Sequence, residues 1–285
     1  MYPLSSTSIG GSKFLLVSVC EYSSYLSIIP LSSKSGSAII HAFKQLISKY
    51  NAYGHKVTAI QCDSENNLLS TDIELGSLSI QLRPVPPYQH AQRMERYVRT
   101  INNGCRSTLS GLPYHLPAYL TIELLNSVIR SLNAIPNSTH IIPSESPQMQ
   151  MTGRKYDINY HLQIPFGAVV MCTDIAGKTP APNKINDERA ELGIALGPSQ
   201  NSYNSISVFI FGKVGTAGGP IRTRSKVKVL KQLPDQFEWT IKRIHQPNNG
   251  GEQPDIITSK YHFLTLDEDT PTVTCLLYTS DAADE

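Results

Sequence analysis

The sequence predicts an α/β protein, a mixed sheet flanked by helices and followed by a small β domain. Through residues 1–135, apolar runs of strand length alternate with stretches of helical periodicity. Beyond residue 164 only short strand-like runs remain, separated by glycines and prolines. Size sets the third bound: 285 residues, 40% hydrophobic and 17% charged, is a globular composition with room for more than one core.

Taken in order, residues 13–20 and 25–31 read as strands joined by a tight connection at 21–24. Ser35 is placed to cap a helix over 36–50, with Ile39, Ile40, Phe43, Leu46 and Ile47 as its apolar face and Asn51 and Gly54 as its stop. Residues 57–62 form a buried strand and 79–82 a shorter one. The run Arg83-Pro84-Val85-Pro86-Pro87-Tyr88 is read as extended and outside the sheet, because its three prolines lack N–H donors. A helix over 92–106 follows, with Met94, Val98, Ile101 and Cys105 facing inward, and another over 117–132. Residues 136–164 form a linker that opens on a Ser-, Thr-, Asn- and Pro-rich stretch. The small β domain occupies 165–245, with strands near 167–173, 190–196, 205–211 and 224–230. Residues 246–285 are expected to be a disordered acidic tail. Its last 11 residues, Cys275-Leu276-Leu277-Tyr278-Thr279-Ser280-Asp281-Ala282-Ala283-Asp284-Glu285, resemble translated sequencing-adapter read-through and are set aside from the fold.

Net charge is only +2, but it is unevenly spread. From Glu252 onward there are eight acids and one base, which leaves 24 bases against 15 acids in the body. A basic body suits a polyanionic partner. Between residues 213 and 243 lie eight bases (Lys213, Arg222, Arg224, Lys226, Lys228, Lys231, Lys242, Arg243) and two acids. These read either as a nucleic-acid contact, with Lys226 and Lys228 at its centre, or as lysines guarding an edge strand. The five cysteines are isolated and form no Cys-x-x-Cys pair, which argues against a disulfide framework or a zinc site and suits a nuclear or cytoplasmic compartment. No secretory leader is apparent at Met1-Tyr2-Pro3, and no apolar run reaches membrane-spanning length, so no membrane partner is expected.

The chemistry concentrates in residues 57–106. Asp63 stands at the end of a predicted strand, and Glu95 lies 32 positions later on a helix that also carries Arg93, Arg96, Arg99 and Arg106. Glu95, Arg99, Asn102 and Arg106 share one helical face. Two carboxylates beside a basic stripe suit metal-dependent chemistry on a phosphodiester, with acid oxygens for hard cations and arginines for the polyanion. The plain alternatives are a turn or capping aspartate and a solvated helix face with weak ion pairs.

Several motifs in sequence order carry a resemblance to a known family. They are Val19-Cys20-Glu21-Tyr22-Ser23-Ser24-Tyr25, Pro30-Leu31-Ser32-Ser33-Lys34-Ser35, Cys62-Asp63-Ser64-Glu65-Asn66 and Pro87-Tyr88-Gln89-His90-Ala91-Gln92-Arg93-Met94-Glu95-Arg96. Further along come Asn133-Ala134-Ile135-Pro136, Pro147-Gln148-Met149-Gln150-Met151-Thr152-Gly153-Arg154-Lys155, Pro165-Phe166-Gly167-Ala168 and Arg189-Ala190-Glu191-Leu192-Gly193-Ile194-Ala195-Leu196-Gly197-Pro198. Together they resemble the catalytic core and following small β module of retroviral-type integrases, most closely those of copia-type retrotransposons.

The resemblance implies a ribonuclease H-like mixed sheet followed by an SH3-like β-barrel, in a fragment of a retrotransposon polyprotein. It also implies DNA as partner, homo-oligomeric assembly, and DNA integration by two-metal phosphoryl transfer with Mg²⁺ or Mn²⁺. By this resemblance, Asp63 and Glu95 stand where the family has the second and third acids of its site, and are hence the expected metal ligands. The signature around Asp63 departs from the family's Asp-Asn-Gly, and the spacing to Glu95 is a few residues shorter. The family's first acid should lie just before the segment Tyr2-Pro3-Leu4-Ser5, yet no Asp or Glu precedes Glu21. The expectation is therefore an incomplete site with little or no strand transfer. The alternative is a catalytically inactive, element-derived DNA-binding or interaction protein.

Overall fold

The structure, a computed structural model, describes residues 2–3, 11–62, 66–85, 92–136, 142–157, 159, 163–173, 190–199, 202, 204–211, 221–231 and 274–281. They divide into two compact units. The first comprises residues 1–107, 128–156 and 259–285, and the second comprises 108–127 and 157–258.

The first unit is built on a six-stranded mixed sheet. After the two-residue strand β1 (Tyr2–Pro3) come β2 (Phe14–Cys20) and β3 (Leu26–Leu31), an antiparallel hairpin with Phe14 opposite Leu31 and Val19 opposite Leu26. Leu15, Leu16, Val17, Ser18 and Val19 are all fully buried, the mark of a strand covered on both faces. Ser24 turns the hairpin at φ 56°, and its N–H donates to the carbonyl of Cys20 at 2.9 Å.

Helix α1 (Gly36–Ala52) starts as its sequence dictates. The Ser35 hydroxyl accepts from the Ala38 N–H at 3.3 Å, and Ile39, Ile40, Phe43, Leu46 and Tyr50 are buried. This face packs on Leu16 and Cys20 of β2 and on Val57, Ile60 and Cys62 of β4 (His55–Cys62). Val57 and Ile60 share a face because the ladder shifts register between Thr279, opposite Val57, and Tyr278, opposite Ala59. Thr58 is thereby passed over in the pairing.

Two short helices, α2 (Asn66–Leu69) and α3 (Asp72–Ser77), lead to β5 (Gln81–Pro84), which lies parallel to β4. The strand expected at 79–82 is therefore displaced, and Arg83 and Pro84 belong to the sheet. A proline is tolerated there because β5 is an edge strand and Pro84 its last residue. Helix α4 (Gln92–Ser110) runs one turn beyond its expected end. A 3-10 turn (Ala118–Leu120), α5 (Thr121–Ala134) and α6 (Pro147–Thr152) follow, α6 being capped by the Ser146 hydroxyl.

The tail departs most from expectation. Thr274–Asp281, part of the stretch set aside as disordered, forms a strand at the centre of the first sheet, between β2 and β4. It is parallel to β2 and antiparallel to β4. A composition-based reading has no access to that pairing, because the partner strands lie more than 200 residues upstream. The rest of 246–285 lies outside the described residues.

The second unit holds a five-stranded antiparallel sheet. Its strands are β6 (Val169–Cys172), β7 (Glu191–Pro198), β8 (Ile206–Ile210), β9 (Ile221–Arg224) and β10 (Val227–Val229), in the order β10-β6-β7-β8-β9. In place of the one strand expected over 224–230 there are two, β9 beginning earlier at Ile221 and β10 following a break at Ser225 and Lys226. Numbered in chain order, the tail strand Thr274–Asp281 is β11. No ladder joins β9 to β10, and no closed barrel is found, among the described residues. Its core is Ile164, Val170, Cys172, Ala195, Ile206, Val208 and Ile210. Among the described residues no helix is long and apolar enough to cross a membrane.

Candidate nucleic-acid interface

Helix α4 presents two chemically opposed sides. Met94, Val98, Ile101 and Cys105, at i, i+4, i+7 and i+11, are fully buried. Burial of side chains of this size stabilises by about 1.5–3 kcal/mol each and fixes the helix's rotation about its own axis. Burial of Cys105 also pushes its thiol pKa up to about 12, so it stays a neutral apolar group. Gly104 belongs to the same packed side. A Cβ there would come within 2.6 Å of a Val128 methyl, so the glycine allows α4 and α5 to approach.

Arg96, Arg99, Thr100 and Asn103 are exposed on the other side. Arg106 is half-buried, and its guanidinium donates to the Asn103 side-chain Oδ1 at 3.2 Å. Arg93 lies in the first turn of α4, where its side chain falls outside what the structure describes. The expected stripe Glu95-Arg99-Asn102-Arg106 is not one solvent face, because Asn102 is buried. The apolar side is wider than a strict heptad seam, and it takes in position 102 together with position 101.

Of the two proposed catalytic carboxylates, only Glu95 lies within the described residues. It is half-buried in the first turn of α4, a favourable position for a negative charge beside the helix N-terminus. Asp63 lies outside them, directly after Cys62, which ends β4 fully buried and accepts a hydrogen bond from the Val85 N–H at 2.8 Å. Among the described residues no three His, Cys, Asp or Glu side chains gather closely enough to hold a metal ion.

In the second unit, Lys226 is exposed in the bend between β9 and β10, and Lys228 is exposed on β10 at the sheet edge. Arg224, counted in the basic run, does not join them. It is 4% exposed and donates to Glu191 Oε2 at 2.7 Å, a buried ion pair that ties β9 to β7. Lys213, Lys242 and Arg243 lie outside the described residues.

Asn133 carries a role that its motif alone did not disclose. Its amide accepts from the Leu26 N–H and donates to the Leu26 carbonyl, both at 2.8 Å, with Asn133 itself 3% exposed. It acts as a one-residue strand partner for the free edge of β3. A polar residue at a helix end, at the position where the apolar face continues inward, was the one signal available.

No family model and no curated protein matches the chain. Among solved structures it is similar to the HTLV-2 integrase catalytic core domain in complex with magnesium, at 22% identity over 47% of this chain and 80% of that one, with a TM-score of 0.36. It is also similar to the simian T-cell lymphotropic virus intasome in complex with PP2A regulatory subunit B56 gamma. There the identity is 12% over 77% of this chain and 76% of that one, with a TM-score of 0.34. Overlaps this low do not establish a shared fold.

Proposed function

We propose that the chain is a nucleic-acid-binding protein of the integrase-like type, a copia-type core with its following SH3-like module. The observation that supports this best is α4. Its buried stripe locks the helix in place, and the lock leaves Arg96 and Arg99 on the exposed side as a rigid basic surface. Guanidinium groups so placed neutralise phosphates and release counterions. Lys226 and Lys228 offer a second basic surface on the β domain. Homo-oligomeric assembly, which the motif resemblance implies, and a nuclear or cytoplasmic setting, which the isolated cysteines suit, belong to the same reading.

Catalysis is the second part of the proposal. Asp63 and Glu95 are the acids the motifs assign to a two-metal phosphoryl transfer, with Arg93, Arg96, Arg99 and Arg106 holding the DNA. Because the sequence motifs supply a second and a third acid while no Asp or Glu precedes Glu21, we assign this chain binding without strand joining. The inactive, element-derived DNA-binding protein is thus the form of the reading we adopt. The purified chain, given Mg²⁺ or Mn²⁺ and duplex ends, should bind the DNA in a salt-sensitive manner and yield no joined product. Joining that Asp63→Asn abolishes would overturn the inactive assignment. Affinity unchanged between low and physiological salt would overturn the nucleic-acid reading altogether.

A further inference from the structure

Tyr22, in the turn after β2, and five residues around α6 line an open cavity of about 190 Å³ in the first unit. The five are Ile142, Glu145, Met149, Gln150 and Gly153. Both walls are held in place from within the unit. The Ser146 hydroxyl caps one end of α6, and at the other the His55 Nε2–H donates to the Met151 carbonyl at 2.9 Å. Met151 is itself part of the core, and Tyr22 packs against that core from the turn. A cavity with fixed walls loses little freedom when it is filled.

Its lining combines apolar surface with acceptors that lack donors. Ile142, Met149 and the Tyr22 ring supply the apolar part. Among the described residues the half-buried Glu145 carboxylate has no hydrogen-bond or ion-pair partner. Gln150 donates from Nε2 to the Ile142 carbonyl at 3.2 Å, while its Oε1 is buried and has no hydrogen-bond partner. An acceptor left in this state is unfavourable, and a carboxylate more so. A cation that carries several donors on an apolar stem satisfies both. The three rotatable donors of an ammonium suit two acceptors on separate side chains, whereas the planar fork of a guanidinium is matched to a single carboxylate. The volume lies below the roughly 300–1,000 Å³ that encloses a drug-sized molecule, which suits one side chain.

We infer that this cavity receives the lysine side chain of an extended peptide segment on a protein partner. The ammonium meets Glu145 and Gln150 beside the Tyr22 ring, and the methylene stem lies against Ile142 and Met149. Ile142 is 37% exposed and offers the flanking peptide an apolar ledge. Arg154 and Lys155, exposed directly after Gly153, favour acidic residues on either side of that lysine. The site uses no residue of α4, so its occupancy does not depend on nucleic-acid binding.

The test is an NMR titration of the full ¹⁵N-labelled chain with the peptide Gly-Ser-Glu-Lys-Glu-Ser-Gly, blocked at both ends. The peptide should shift the backbone amides of Tyr22, Glu145 and Gly153 and the side-chain amide of Gln150, saturably, with a Kd on the order of 1 mM or tighter. Versions with acetyl-lysine or norleucine keep the stem and lose the charge, and should leave these signals unmoved. Glu145→Gln should weaken the lysine peptide about fivefold, and Tyr22→Leu about threefold. No saturable shift up to about 5 mM peptide would overturn the inference. So would equal binding of the acetyl-lysine version, tighter binding of an arginine counterpart, or a Glu145→Gln chain that binds as the wild type does. Shifts caused by spermidine where the peptide causes none would overturn the peptide as occupant.

Discussion

Replacing Asn133 by alanine tests whether a single side chain can stand in for a strand. In the native protein both backbone groups of Leu26 are satisfied by the Asn133 amide at 2.8 Å, and both residues are 3% exposed. Alanine removes both bonds and admits no replacement from β2, whose backbone pairs on the other side of β3. Each backbone group left unsatisfied in a buried setting costs about 1–3 kcal/mol. Together they should destabilise the first unit by about 3 kcal/mol, which at this chain length is a fall in Tm of roughly 6–12 °C. Urea unfolding followed by tryptophan-independent far-UV circular dichroism measures the loss. Asn133→Asp refines the test. Its oxygen still accepts from the Leu26 N–H, but at neutral pH a carboxylate faces the Leu26 carbonyl. Protonation restores a donor, so this variant should regain stability relative to the wild type as pH falls toward about 4. A cost below about 0.5 kcal/mol for Asn133→Ala would refute the reasoning and place the amide among ordinary surface contacts.

Other outcomes follow from the same packing. Gly104→Ala, which in an exposed helix would stabilise, should here cost about 1–3 kcal/mol through its clash with Val128, and Val128→Ala should recover part of that in the double variant by thermal melting. Glu191→Gln or Arg224→Met alone should destabilise the second unit by about 3–5 kcal/mol, whereas the pair Glu191→Leu/Arg224→Met should cost much less. Burial raises the pKa of Cys105 to about 12, and it also raises Tyr50, Tyr114 and Tyr119. These groups stay protonated when folded and lose protons more readily when unfolded. Their contribution is therefore complete below about pH 9 and is lost as pH rises toward 12, which denaturant midpoints across that range will register.

What could be read from the sequence was whatever a local period encodes. The α4 stripe of Met94, Val98, Ile101 and Cys105 and the Ser35 cap of α1 depend only on neighbours within a few turns, and both stand as expected. Elements fixed by distant partners were not legible. β5 is placed by its parallel ladder to β4, which draws Arg83 and Pro84 into the sheet against their local preference. β11 is placed by β2 and β4, and its composition suggests only a tail. The break at Ser225 and Lys226 separates strands that pair with opposite sides of the second sheet, a topological fact with no local signature. At the candidate interface, charge count located Arg96 and Arg99 but could not separate them from Arg224. That arginine's carboxylate partner lies 33 positions earlier and takes it out of solvent.

The outer side of α4 can be tested directly by the salt dependence of duplex binding in the wild type and in Arg96→Ala/Arg99→Ala. The two arginines are exposed, so their removal should leave the thermal midpoint unchanged while the slope of log affinity against log salt becomes shallower by about 0.9 per phosphate contact, close to 2 in all. An identical slope in both proteins would contradict the assignment of α4 as the surface that meets nucleic acid.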